Sequence, residues 1–283
     1  MIATDTDGWP VHFAGNSVRF TSNHSGVRKA VETHFRFCSG ISGPVIADYK
    51  ITTTNDTDFS VSVDGSVLFS TITFEQVLWY LMQDCITRLN SASQLELVFH
   101  AAALSKRDRG LILCGQSGCG KSSLTTRLVT DGWKYLTDEV IALPIDAGKI
   151  SGFCRSIVLK PGSSFLWQRL LGQVELTDGL LRFKNNSIWI TPTLLNNSAV
   201  RATVVPRMLV FPQYGPETQF KPKRLGSAEA LFRLLQCLVN ARNFTDSGMG
   251  ATTHLARQVS AYSLEYSELE DAAQWINQTI PTA

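Results

Sequence analysis

Eight residues constrain this chain more than any others: Gly115-Gln116-Ser117-Gly118-Cys119-Gly120-Lys121-Ser122. They fit the pattern G-x-x-x-x-G-K-[ST], which works only between a strand and a helix. Both flanks are present. Residues 111–114, Leu-Ile-Leu-Cys, form a short apolar run that reads as a buried strand. Residues 121–130 carry good helix formers, with apolar Leu124, Leu128 and Val129. In that setting glycines let successive backbone N–H groups line one concavity, and the helix N-terminus adds partial positive charge. Gly115, Ser117, Gly118, Cys119, Gly120, Lys121, Ser122 and Ser123 are therefore the expected phosphate contacts for a nucleotide, ATP by default. Lys121 can reach the terminal phosphates as a point charge, and the Ser122 hydroxyl can ligate Mg²⁺.

The residues that follow narrow the reading. After Gly132 come an apolar stretch to Thr137, the acids Asp138 and Glu139, and a second apolar run over residues 140–143. Asp138 lies 17 residues after Lys121, room for one helix and one strand. Its carboxylate is thus expected beside the glycine loop, where Asp138 and Glu139 can hold Mg²⁺ or take a proton from a hydroxyl. Adjacent acids are usually a solvated turn, but these interrupt apolar runs on both sides.

A glycine loop followed this closely by paired acids resembles the HPr kinase/phosphorylase and phosphoenolpyruvate carboxykinase superfamily. The similarity extends upstream to residues 98–104, Val-Phe-His-Ala-Ala-Ala-Leu, which look like the histidine-bearing strand before the loop. It extends downstream to residues 155–163, Arg-Ser-Ile-Val-Leu-Lys-Pro-Gly-Ser, which look like the R-P-I-S-L-K segment. It covers roughly residues 100–163. Two departures stand out: Glu139 replaces a second Asp, and the glycine-rich signature of the bifunctional enzymes is not found. The closer match is to HPr-kinase-like proteins of peptide and polysaccharide biosynthetic clusters, including lasso-peptide tailoring kinases.

The resemblance implies an α/β fold: a P-loop core of mixed sheet with flanking helices, preceded by a small antiparallel β-rich subdomain. The expected boundary divides residues 1–95 from residues 96–283. It implies a kinase that moves the γ-phosphate of ATP, with Mg²⁺, to a serine-type hydroxyl on a precursor peptide or small protein. In that scheme Asp138 accepts the hydroxyl proton, Glu139 helps bind metal, and His100 orients the acceptor or stabilises developing charge. Lys121 neutralises phosphate charge, and Arg155 and Lys160 clamp the transferred group. HPr kinases proper are hexamers, so the resemblance admits a homo-oligomer. Three rivals share the loop: a kinase of free serine or another small hydroxyl compound, a non-catalytic ATP-dependent peptide-delivery module, and carboxykinase-type decarboxylation. The last calls for a longer chain and Mn²⁺ ligands that are not found.

Composition fits a compact fold with little disordered tail. At 283 residues with 44% hydrophobic and 18% charged residues, the chain can bury a sizeable core. A net charge of +2 gives no footprint for nucleic acid or an anionic membrane. No window is apolar enough to span a bilayer, and residues 1–10 lack a basic-then-apolar pattern, so a cytoplasmic protein without a signal peptide is expected. The six cysteines, Cys38, Cys85, Cys114, Cys119, Cys154 and Cys237, form no C-x-x-C pair and read as reduced thiols. Oxidation or alkylation of Cys119, inside the loop, would block ATP.

Elsewhere the pattern predicts short strands over residues 11–13, 18–20, 45–52, 59–63 and 67–73, with Asp64-Gly65 a strong hairpin signal. Residues 74–90 carry a helical apolar stripe, with Thr73 and Gln76 placed for a capping box, and should join that sheet to the nucleotide core. Residues 106–109 read as a charged hairpin tip. Strands are expected over residues 151–160, 181–191, 204–211 and 261–266, and helices over 162–171, 227–241, 251–259 and 269–279. Arg207 is expected toward the cleft, and residues 215–224 as a loop that faces substrate.

Overall fold

Three two-residue turns set much of the strand pairing. Ala14-Gly15, Asp64-Gly65 and Arg107-Asp108 all hold positive φ at both residues, between 49° and 83°. Turns of that hand match the natural twist of two antiparallel strands. The computed structural model describes residues 8–38, 43–55, 57–146, 148–163, 166 and 179–280, in two compact units, Met1–Ser93 and Gln94–Ala283.

The first unit is one five-stranded sheet with two helices. Its strands are β1 (Trp9–Phe13), β2 (Asn16–Ser22), β3 (Val45–Thr53), β4 (Phe59–Val63) and β5 (Ser66–Ile72), in that spatial order. The pairing is not wholly antiparallel as expected. β2 and β3 run parallel, because helix α1 (Ser25–Phe35) carries the chain back between them. Val27, Ala30, Val31 and Phe35 bury one face of that helix, and the strand-like sequence around it masked their spacing. Helix α2 (Phe74–Ala92) opens with the expected capping box: Gln76 N–H donates to Thr73 Oγ1 at 3.4 Å, and Thr73 N–H to Gln76 Oε1 at 2.8 Å. It lays Val77, Leu78, Leu81, Met82, Cys85, Ile86 and Leu89 on this sheet, and runs two residues past the expected end.

The second unit carries the glycine loop. Strands β6 (Glu96–Lys106) and β7 (Arg109–Cys114) form the hairpin predicted at residues 106–109. Helix α3 (Lys121–Thr130) follows, then β8 (Lys134–Thr137) and β9 (Val140–Pro144), both antiparallel to β6. The single strand expected over residues 151–160 is two, β10 (Ile150–Gly152) and β11 (Ile157–Leu159), broken at residues 153–156. The strand expected over 181–191 is likewise two, β12 (Leu180–Arg182) and β13 (Ile188–Ile190), which join β11 in a small sheet ordered β11-β13-β12. Pro161–Ser163 form a 3-10 turn; most of the helix expected over 162–171 lies outside the described residues.

After a one-turn helix α4 (Pro192–Leu195), β14 (Thr203–Tyr214) pairs in parallel with β7 and with β16 (Ser260–Tyr266). Arg207 stands at a bulge in β14 and is exposed. Part of the expected loop over 215–224 is strand β15 (Lys221–Leu225), antiparallel to β16. The main sheet runs β10-β9-β6-β7-β14-β16-β15, and β10 also pairs with β14. Helices α5 (Ser227–Leu235), α6 (Met249–Gln258) and α7 (Leu269–Thr279) complete the unit. α5 and α6 bury Leu234, Leu255 and Ala256 on a core with Phe99, Ile112, Leu136, Ile141 and Leu209. Among the described residues no helix is long and apolar enough to cross a membrane.

Candidate functional site

The glycine loop leaves β7 at Cys114 and enters α3 at Lys121. Gly118 and Gly120 hold φ of +89° and +100°, conformations open to glycine and strained for other residues. A Cβ at Gly120 would also lie 2.2 Å from the Tyr266 hydroxyl, whereas one at Gly118 would meet nothing. So Gly120 is needed for space and conformation, and Gly118 for conformation alone. Residues 116–118 form the exposed tip. No side chain caps the start of α3, where Gly120 is the N-cap. The N–H groups of its first turn thus keep their polarity outward, the condition for holding an anion. Lys121 is buried and turns its amine to its own loop, 2.5 Å from the Gly115 carbonyl and 3.0 Å from that of Gln116.

Beside the loop lie the two acids. β8 ends at Thr137 and β9 begins at Val140, so Asp138 and Glu139 form the joint between two strands that both pair with β6. Ser122 Oγ donates to Asp138 Oδ2 at 3.2 Å, which brings two of the three expected metal ligands together. Val158 N–H reaches the same oxygen at 3.3 Å; Tyr135 Oη lies 3.1 Å from Oδ1, and Arg155 Nη1 3.5 Å from it. Both carboxylate oxygens are engaged, and the side chain is 1% exposed. Burial pushes the Asp138 carboxyl up, against the pull of Arg155. The expected role of Asp138 as a base open to an acceptor hydroxyl does not fit that enclosure.

Glu139 is the reachable acid. Its side chain is 26% exposed and pairs with Arg155 Nη2 on one oxygen, with His100 Nδ1 3.8 Å from the other. Burial opposes its charge, but Arg155, His100 and Lys121 outweigh burial and hold Glu139 below the ordinary carboxylate range. Ser122 bonds to Asp138, while Glu139 pairs with Arg155 and lies near His100. His100 sits on β6, 37% exposed in its side chain. Burial, then the Lys121 charge, lower it, so the imidazole is neutral near pH 7. Arg155 departs furthest from expectation. It does not face a phosphate site: it is buried between Asp138 and Glu139, with Nη1 also 2.5 Å from the Ser156 carbonyl. The break between β10 and β11 is what turns it inward. Lys160 stays exposed and reaches the loop, its Nζ 2.5 Å from Ser117 Oγ.

Two residues that sequence reasoning missed belong to this site. Tyr135 accepts the Asp138 N–H at 3.0 Å and lies 2.9 Å from the Arg155 carbonyl, fixing the acid joint. Its position three residues before Asp138, across a turn, was a usable signal. Tyr266, the last residue of β16, buries a hydroxyl with no hydrogen-bond partner among the described residues, against Gly120. Nothing local marks it, because β16 meets the loop only through the sheet.

The hydroxyl of Ser122 and the carboxylate of Asp138 fit Mg²⁺, a hard ion that takes one or two protein oxygens and leaves its other positions to water and phosphate. Among the described residues no cluster of three or more His, Cys, Asp or Glu suits a more fully ligated metal. No family model and no curated protein matches the chain. Among solved structures it is similar to the Hpr(Ser) kinase/phosphatase from Coxiella burnetii, at 12% identity over 65% of this chain and 93% of that one, with a TM-score of 0.33.

Proposed function

We propose that this chain is an ATP-dependent kinase that transfers the γ-phosphate to a serine-type hydroxyl, on a peptide or small protein. One observation carries the reading: the Ser122 hydroxyl stands 3.2 Å from a buried carboxylate at the mouth of an uncapped, glycine-lined helix start. Phosphoryl transfer needs little covalent help from a protein; it needs positioning and charge stabilisation. The loop N–H groups hold the phosphates, and Lys121 leaves the Gly115 and Gln116 carbonyls to neutralise them. Ser122 and Asp138 are the residues that would hold Mg²⁺, and the ion would supply positive charge for the developing phosphate charge. Lys160, at the loop tip on Ser117, steadies the transferred group.

Proton transfer falls to His100 and Glu139. Neutral His100 accepts the hydroxyl proton on an imidazole nitrogen, and the Glu139 carboxylate stabilises the imidazolium. Arg155 holds both acids in place without touching substrate. This departs from the sequence expectation, which gave the base role to Asp138, and follows from which groups an acceptor can reach.

The test is a transfer assay with radiolabelled ATP and Mg²⁺ against serine peptides, free serine and sugars. Phosphoserine on a peptide is the expected product, and Lys121→Ala should abolish it. Label on free serine would move the substrate class to small hydroxyl compounds. Tight ATP binding with no labelled product from any acceptor would end the kinase reading and leave a nucleotide-dependent binding module.

A further inference from the structure

Two thiols meet where β7 ends and the glycine loop begins, and neither has a part in the transfer chemistry. One edge of β6 holds both. Ala101 pairs with Cys114, the last residue of β7. One residue earlier, the His100 N–H donates to the Cys237 carbonyl at 2.7 Å. Phe99 then bridges Leu238, and the Val239 N–H donates to the Val98 carbonyl at 2.9 Å. The segment 237–239 thus continues the line of β7 along β6, and sets Cys237 against Cys114.

Cys114 lies in the buried core cluster, and Cys237 packs against that same cluster. The Cys114 and Cys237 side chains interact electrostatically, and the Gly115 backbone lies close enough to Cys237 to act on it as well. Cys114 is fully buried and Cys237 half-buried, so only the second is open to a reagent. The hydrogen bond from Cys114, then Lys121 and the Gly115 N–H, hold the Cys237 thiol below its ordinary range despite burial, while the same contact and burial raise Cys114. A partly exposed thiol held below its ordinary range beside a buried partner thiol is the arrangement of a sensor and its resolving cysteine.

We propose that Cys237 and Cys114 form a modification site for hydroperoxides, in which Cys237 takes the oxidant, Cys114 resolves it, and the disulfide disables the glycine loop. The Cys237 thiolate attacks one peroxide oxygen. The O–O bond breaks, giving a sulfenic acid at Cys237, and the departing hydroxide or alkoxide takes up the proton the Cys237 thiol released, leaving as water or alcohol. The Cys114 sulfur then attacks the Cys237 sulfur; the S–S bond forms, the S–O bond breaks, and hydroxide leaves with the Cys114 proton as water. With hydrogen peroxide, two thiols and one peroxide give one disulfide and two waters.

The bond fixes the two sulfurs about 2.05 Å apart. That constraint is felt at Gly115, which follows Cys114 and whose carbonyl holds Lys121, and at His100, which shares a hydrogen bond with Cys237. The expected loss in Mg·ATP affinity is roughly tenfold, about what one hydrogen bond to a charged group contributes. The effect on ATP rests on the kinase reading; the thiol chemistry does not.

The experiment treats the full chain, wild type and Cys237→Ser, with equimolar hydrogen peroxide, then alkylates, digests without reduction and maps peptides by mass spectrometry. A fluorescent ATP analogue is titrated in parallel. The first product should be a peptide pair joined through Cys114 and Cys237, absent in Cys237→Ser. Cys114→Ala should leave a sulfenic acid at Cys237 that dimedone traps. ATP affinity should fall in the oxidised wild type, return with dithiothreitol, and resist peroxide in Cys237→Ser. A first disulfide through Cys119, or Cys237 passing to sulfinic acid while Cys114 stays reduced, overturns the site. The joined pair with unchanged ATP affinity overturns its effect on the loop. A reduced protein that binds no ATP overturns the kinase reading instead, and the peptide map still decides the thiol site.

Discussion

Replacing Arg155 by Met separates two pictures of this site. If Arg155 faced a phosphate, as its sequence position suggested, the change would weaken ligand binding and leave stability alone. The structure predicts the reverse order of effects. Arg155 is 4% exposed in its side chain, bonded to Glu139 and the Ser156 carbonyl and 3.5 Å from Asp138. Removing it leaves Asp138 buried without its counterion. Breaking one side of a buried ion pair costs about 3–5 kcal/mol, a large share of the stability of a small domain. Met keeps much of the volume, so packing loss adds little.

The pH dependence has a definite sign. Burial already raises the folded Asp138 carboxyl, and loss of the nearby cation raises it further. A raised carboxyl favours the unfolded chain once pH exceeds the unfolded value near 4, so the penalty should be larger at pH 8 than at pH 5. Asp138→Asn on top of Arg155→Met should recover much of the loss, since no charge then remains buried without a partner. Urea titration of the three proteins at both pH values gives these numbers. If Arg155→Met melts like the wild type while losing nucleotide affinity, the buried-counterion account is wrong and the phosphate role returns.

Three further predictions test other parts of the molecule. Gly120→Ala forces a φ of +100° on a residue with a Cβ, about 1–2 kcal/mol, and drives that Cβ onto the Tyr266 hydroxyl; calorimetry with Mg·ATP should show weaker binding, partly restored by adding Tyr266→Phe. His100→Gln should lower turnover by about 10²–10⁴-fold with ATP affinity held within a few fold. Because burial and Lys121 lower His100, wild-type kcat/KM should stay flat above the ordinary imidazole range and decline below it, and the variant should lose that acid limb. In the first unit, burial holds His34 at about 4. Above pH 6.5 both states are neutral; below it the unfolded chain takes a proton that the folded one excludes, costing about 2 kcal/mol at pH 5. Urea midpoints for that unit should fall between pH 7.5 and pH 5, and His34→Leu should flatten the difference.

Local patterns carried much of the architecture. The boundaries of α3 and α7 lie where their apolar spacing put them, the capping box at Thr73 formed, and Asp64-Gly65 turned as its residue types require. Each depends on neighbours within a few positions. The misreadings have a different origin. Lys221-Pro222-Lys223-Arg224 reads as loop because it is polar; only pairing with β16 makes it the strand β15. The parallel β2–β3 pairing depends on where α1 sends the chain, which alternation along either strand cannot reveal.

At the site the same division holds. The glycine loop, the helix behind it and the 17-residue spacing to Asp138 are properties of adjacent sequence, because the helix and strand between them fix the reach of the chain. Which acid is enclosed, which stays open to His100, and that Arg155 serves both acids rather than a ligand were decided by tertiary structure. Those facts depend on burial and on charges brought together from β6, the β8–β9 joint and the break before β11, and a carboxylate's behaviour is set by what surrounds it in space.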